Sequence, residues 1–167
     1  STLLDLVAQQ MPQAHRTDTL SVAIVALQVT PLAFVGIVDG AGQKLAQQFK
    51  VTSVADALVI LADHANSDQQ AGLQENRLTT HEDFSEQIRH HIEQHGIGAL
   101  KRVHLLLNKQ DLWDKHPSKV KLVRWFEDVL VAKWKAGRWA TAVTAAHHSN
   151  NVATNVSSVA EVLRRMS

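Results

Sequence analysis

Cysteine is absent from this chain of 167 residues. That excludes disulfide staples, thiol catalysis and thiolate metal sites, and it fits a cytoplasmic protein, the location expected here. An excess of charge of one sign is lacking too. Seventeen Lys and Arg stand against sixteen Asp and Glu, a formal charge of +1 at pH 7, which gives no electrostatic footprint for nucleic acid or an acidic lipid surface. No apolar run approaches the roughly 18 residues of a membrane-spanning helix. Internal repeats, low-complexity tracts and interdomain linkers are missing as well. What is present is ordinary for a globular protein, with 45% hydrophobic and 20% charged residues. A chain of this length fits a single domain over 1–167, since such domains bury about 70% of the surface of the unfolded chain.

Hydrophobic spacing orders the elements. Leu3, Leu4, Val7, Ala8 and Met11 predict a helix over 1–13, with Pro12 near its end, and 13–18 reads as a polar loop. The runs 20–29 and 32–38, parted by Thr30 and Pro31, read as an antiparallel hairpin. A short helix and loop over 46–55 leads to the apolar run 57–62, the pattern of a parallel strand covered on both faces and ended by Asp63. Residues 66–80 read as a long polar loop around Gly72, and 81–95 as an amphipathic helix turning Phe84, Ile88 and Ile92 inward, stopped by Gly96 and Gly98. Strands are expected over 103–107 and 139–143. Between them lies a helix over 118–135 that carries Leu122, Trp125, Phe126, Val129 and Leu130 toward the core, with Trp134 and Trp139 flanking its end as packing residues. A last helix covers 152–166. His91 and His95 have the spacing to share a metal but lack an identifiable further ligand, so they are read as solvent-facing. His147 and His148 read as solvated loop residues on a pocket rim.

Alternating strands and helices imply a three-layer α/β domain with ligand loops at the C-terminal ends of the strands. Three stretches at such ends carry chemistry. Asn108, Lys109, Gln110 and Asp111 form an N-K-x-D box directly after a strand. A carboxylate in the plane of guanine accepts its N1–H and N2–H together, and adenine lacks that donor pair. Asp111 is suited to this role, while Asn108 and the aliphatic stem of Lys109 would hold the loop and cover the base face. In the stretch Asp39, Gly40, Ala41, Gly42 and Gln43, a carboxylate suited to the water shell of Mg2+ precedes a glycine that lets a backbone N–H approach a terminal phosphate. Thr144, Ala145 and Ala146 follow the run 139–143, and their small size lets the backbone reach the base edge.

With these stretches in this order, the chain resembles the Ras-like and Arf-like small GTPases over nearly its whole length. Their D-x-x-G-Q switch is similar to Asp39 through Gln43, although Gly40-Ala41 stands where Ras-like proteins prefer Thr-Ala. Their [TS]-[SC]-A motif is similar to Thr144 through Ala146. The fragment Ser1-Thr2-Leu3-Leu4 resembles the tail of a phosphate loop G-x-x-x-x-G-K-S-T-L-L. The resemblance implies a P-loop GTPase-like α/β/α fold, its sheet mostly parallel with one antiparallel hairpin. It implies a guanine-nucleotide-binding switch that binds GTP with Mg2+, hydrolyses it to GDP, and is read by protein effectors and regulators. Ser1 and Thr19 would ligate Mg2+, with Thr17 as the rival of Thr19, and Asp39 would bind the ion through water. Gly42 would contact the γ-phosphate, Gln43 would orient the attacking water, and Asn108, Lys109, Asp111 and Thr144 to Ala146 would hold the base.

The family's central first strand and phosphate-binding lysine would precede Ser1. About 15 to 25 further residues are therefore expected upstream in the intact protein. Removing a central strand leaves a slot of nearly 10 Å, with unpaired edges costing on the order of 1 to 3 kcal/mol per group, so Ser1 to Ser167 alone is expected to be inactive. The alternative is an interaction module of the same fold that binds nucleotide weakly and serves as a scaffold. An ATP-dependent enzyme is disfavoured by Asp111.

Overall fold

A computed structural model describes residues 21–23, 37–39, 45–66, 72–95, 100–137 and 142–149. The chain divides into two compact units, Ser1–Val54 with Val152–Ser167, and Ala55–Asn151. In the first, β1 (Ser21–Ala23) pairs antiparallel with β2 (Ile37–Asp39), Val22 lying opposite Val38. That register is symmetric about Thr30, where the sequence places the hairpin turn. Helix α1 (Leu45–Val54) follows. Its hydroxyl residues turn back onto their own helix, Thr52 Oγ1 donating to the Gln48 carbonyl at 2.7 Å and Ser53 Oγ to that of Phe49 at 2.6 Å. The expected helices over 1–13 and 152–166 lie outside the described residues.

The second unit is a mixed α/β structure around a parallel three-stranded sheet, β3 (Ala57–Ala62), β4 (Arg102–Leu107) and β5 (Val143–His147), in the order β3-β4-β5. Successive residues of a strand point to opposite faces, so a strand buried at every position is covered on both. Central β4 is such a strand from Val103 onward, with Val103, His104, Leu105, Leu106 and Leu107 all buried. Burial of each leucine contributes about 1.5 to 3 kcal/mol. On β3 the residues Leu58, Ile60 and Ala62 are buried, whereas Leu61 is exposed.

Helix α2 (Glu75–His95) connects β3 to β4. It begins six residues earlier than its apolar spacing suggests, because its first turns are held by groups far away in sequence. Leu78 is buried, Arg77 and His81 reach Asp63, and the Gln74 backbone N–H donates to the His64 carbonyl at 2.9 Å. Thr80 Oγ1 donates to the Asn76 carbonyl at 2.8 Å, so its hydroxyl is satisfied within the helix.

After the short helix α3 (Gln110–Trp113) comes a continuous helical segment made of α4 (Lys119–Arg124), a π-helical stretch (Trp125–Val131) and α5 (Ala132–Lys135). Leu122, Trp125, Phe126 and Leu130 are buried as expected, and Trp134 is fully buried. Two indoles tie this segment to α2, Trp125 Nε1 donating to Glu82 Oε1 at 2.7 Å and Trp134 Nε1 to Ser85 Oγ at 2.5 Å. Among the described residues no helix is long and apolar enough to cross a membrane.

Trp134 has no exposed surface, and Ser85 is 4% exposed. Trp134→Ala is therefore expected to cost about 3 to 5 kcal/mol. Trp134→Phe, which keeps most of the packing but strands the Ser85 hydroxyl, should cost about 1 to 3 kcal/mol. Urea unfolding followed by circular dichroism measures both, and a Trp134→Phe loss near zero would remove the hydrogen bond from the account.

Candidate functional site

The three parallel strands end level with one another, Ala62 opposite Leu107 and Leu107 opposite His147. Backbone bonds carry the ladder past these ends. Asn108 N–H donates to the Ala62 carbonyl, His148 N–H to that of Leu107, and Gln110 N–H to that of His148, each at 2.8 Å. Residues following β3, β4 and β5 are thereby gathered at one end of the sheet.

The loop after β4 turns at Lys109, whose φ of 61° and ψ of 36° place it in the left-handed region. It is the one non-glycine residue with positive φ among those described. Such a conformation costs on the order of 1 to 3 kcal/mol and persists where surrounding contacts fix it. Here they do. Lys109 is only 4% exposed; its Nζ donates to the Ala65 carbonyl at 3.1 Å and lies 3.2 Å from Asp63 Oδ2. The turn also opens α3, with Leu112 N–H donating to the Lys109 carbonyl at 2.9 Å, while Trp113 Nε1 donates to the Asn108 carbonyl at 2.7 Å.

Asp63 anchors the far side. Its Oδ1 accepts from Arg77 Nε at 2.6 Å and lies 3.0 Å from His81 Nε2, which is also 3.0 Å from the Asp63 backbone N. Burial pushes the Asp63 carboxyl up, but hydrogen bonds and charge from His81 and Arg77 outweigh that and hold it well below the usual carboxylate range.

Asp111 lies exposed in the first turn of α3 and accepts a hydrogen bond from Ser149 Oγ at 3.2 Å. Asn108 Oδ1 is buried and has no hydrogen-bond partner among the described residues. A buried carbonyl oxygen in that condition is suited to a ligand donor. Asn108, Lys109 and Asp111 thus share one end of the sheet with Asp63, His148 and Ser149.

The other expected site residues are placed differently. Thr144, Ala145 and Ala146 lie inside β5, opposite His104, Leu105 and Leu106, because pairing with β4 extends this strand to His147 and not to Val143. Thr144 Oγ1 is hydrogen-bonded to His104 Nδ1 at 2.7 Å. The residues that pass the end of β5 are His148 and Ser149. Asp39 ends β2 in the other unit, and Ser1, Thr19, Gly42 and Gln43 lie outside the described residues. Comparison with protein-family models, curated proteins and solved structures finds no match for this chain. Among the described residues no three His, Asp or Glu side chains are grouped to hold a metal, and the His91 and His95 rings stand 4.3 Å apart without a third donor.

Sequence reasoning missed Asp63, Arg77, His81 and Ser149 as members of this region. The legible signal was Asp63 itself, a carboxylate directly beyond a parallel strand. His148, expected to be solvated, is 2% exposed, because its backbone bridges Leu107 and Gln110.

The His147 ring meets Trp113 edge-on at 5.3 Å and lies 6.0 Å from the ring of Phe126. Burial pushes the pKa of both His147 and His148 down from 6.5, with Glu127 the principal opposing charge at His147 and Asp111 that at His148. The unfolded chain therefore binds protons more readily at these positions. Their contribution to stability is fully present above about pH 6.5 and is lost as pH falls through the lower folded values. Asp63 stays ionised throughout that window. The urea midpoint is expected to decline from pH 7.5 to 5, and less steeply in His148→Gln; an identical slope in that variant would exclude His148 as a source.

Proposed function

We propose that this protein is a guanine-nucleotide-binding switch of the Ras-like or Arf-like type, with the corresponding P-loop GTPase-like fold, that binds GTP and hydrolyses it to GDP. The observation carrying this reading is the N-K-x-D box at the C-terminal end of a parallel sheet, with Asp111 exposed beside Ser149 and Asn108 presenting a buried carbonyl oxygen unpartnered among the described residues. Open α/β sheets bind ligands at this end.

In this reading Asp111 accepts the paired N–H donors of guanine, Asn108 bonds the polar edge of the base and its loop, and the stem of Lys109 covers a base face. Ser149 and the backbone after His148 take the place at the base that the sequence suggests for Thr144, Ala145 and Ala146. Gln43 orients the attacking water, and Gly42 donates its backbone N–H to the terminal phosphate. Mg2+, held by Ser1, Thr19 and, through water, Asp39, would neutralise developing phosphate charge. Protein effectors and regulators would read the switch.

Two variants of the full-length protein test the reading. Replacing the Asp111 carboxylate by an amide exchanges one acceptor for a donor, so Asp111→Asn is expected to lose roughly 100-fold or more in GTP affinity and to gain preference for xanthine nucleotides. Competition against a fluorescent nucleotide measures this, and unaltered guanine preference would take Asp111 out of the base site. Gln43→Leu is expected to leave GTP affinity within about two-fold while slowing single-turnover phosphate release by at least about ten-fold. Release at the parental rate would assign the water to another group.

A further inference from the structure

Asp63, Arg77 and His81 have no part in the proposed base contacts, yet they are joined to a residue that does. The two oxygens of Asp63 serve different elements. Oδ1 accepts from Arg77 Nε at 2.6 Å and lies 3.0 Å from His81 Nε2, both on α2. Oδ2 lies 3.2 Å from Nζ of Lys109, in the loop after β4. One carboxylate thus bridges a helix to the N-K-x-D box. Lysine has a long stem with many rotamers, and its ammonium is a point charge that imposes little direction of its own. At Lys109 the stem is fixed at both ends, at its root by the left-handed turn with φ of 61° and at its tip by Asp63 Oδ2 and the Ala65 carbonyl.

We propose that Asp63 is a positioning residue for the guanine site: acting through Lys109 it pins the N-K-x-D loop, and Arg77 and His81 in turn hold Asp63. This rests on the guanine-nucleotide reading of that loop. Removing the Asp63 charge takes a carboxylate from the ammonium of Lys109 at a position only 4% exposed, and a buried charge that loses a charged partner moves toward water. The stem leaves the base face with it, and the left-handed turn loses the contact at its tip. Asn108 is displaced too, since it adjoins Lys109 and its carbonyl accepts from Trp113 Nε1 at 2.7 Å. That indole is a spectroscopic reporter of the loop, readable without any nucleotide.

The test pairs Asp63→Asn with Lys109→Met in the full-length protein and reads two quantities. One is the 1H–15N indole signal of Trp113, identified among the four tryptophans by its loss in Trp113→Phe. The other is affinity for GTP and ITP by competition. Asp63→Asn is expected to shift the Trp113 signal and speed its solvent exchange by about ten-fold. It should weaken GTP and ITP together by about ten-fold, because the covering stem is lost while Asp111 still discriminates between them. In the Lys109→Met background the same substitution should change each quantity by less than about two-fold. An unmoved Trp113 signal, or equal effects in both backgrounds, overturns the proposal. If Asp63→Asn does not fold, Arg77→Gln and His81→Gln carry the same comparison, since they keep the carboxylate and loosen its anchorage. A parental protein that binds neither nucleotide, while Asp63→Asn moves Trp113 only when Lys109 is present, overturns the guanine site and upholds Asp63 as the holder of the loop.

Discussion

An ammonium group removed from water needs a carboxylate, and that requirement organises the end of this sheet. Lys109 is almost wholly buried, and Asp63 stands 3.2 Å from its Nζ. Asp63 in turn has Arg77 and His81 on its other oxygen, so the ion pair belongs to a network spanning β3, α2 and the loop after β4. A backbone turn that is costly in isolation becomes the stable one, because the side chain it projects is met there by Asp63 Oδ2 and the Ala65 carbonyl. Asn108, directly before that turn, inherits its position from it, while Asp111 is carried by α3.

The network can form because the strands end level. A parallel strand buried on both faces must keep a register that serves both at once, and slipping by one residue exchanges the faces. With five consecutive buried residues on β4, that constraint applies in full. It sets Ala62, Leu107 and His147 side by side and brings Asp63, Asn108 and His148, each one residue further on, to a common level.

Strand β3 was legible to the residue, since its apolar run is bounded by Asp56 and Asp63, and β4 to within one position. The buried stripe of the helical segment after α3 was legible from the spacing of Leu122, Phe126 and Leu130. What failed to show was whatever depends on partners distant in sequence. The first turns of α2 look like loop because their apolar content is Leu78 alone; their support is polar and comes from Asp63 and His64. The sequence puts the end of β5 at Val143, since the small Thr144, Ala145 and Ala146 suit a loop whose backbone approaches a ligand, but pairing with β4 keeps all three in the strand. Within the candidate site, the motif residues Asn108, Lys109 and Asp111 stand out locally. Ser149 does not, being 38 positions from the carboxylate it bonds, and neither does the Asp63 to Lys109 pair.

The π-helical stretch shows how packing extends the same network. A π-turn repeats nearer five residues than the 3.6 of an α-helix, and the buried residues here recur at that interval: Trp125 with Leu130, and Phe126 with Val131. Widening the helix at this point lets both neighbouring aromatics turn inward. Trp125 reaches Glu82 on α2, and Phe126 approaches His147 at the end of β5. Trp134, beyond the π stretch, then meets Ser85, three residues after Glu82 on the same helix. Helix α2 is consequently held along its length by the two indoles and at its start by Asp63. Arg77 therefore presents its Nε donor, and His81 its ring nitrogen, to Asp63 from a helix held at several points, and the loop after β4 is braced through Asp63 by the packing of that helix.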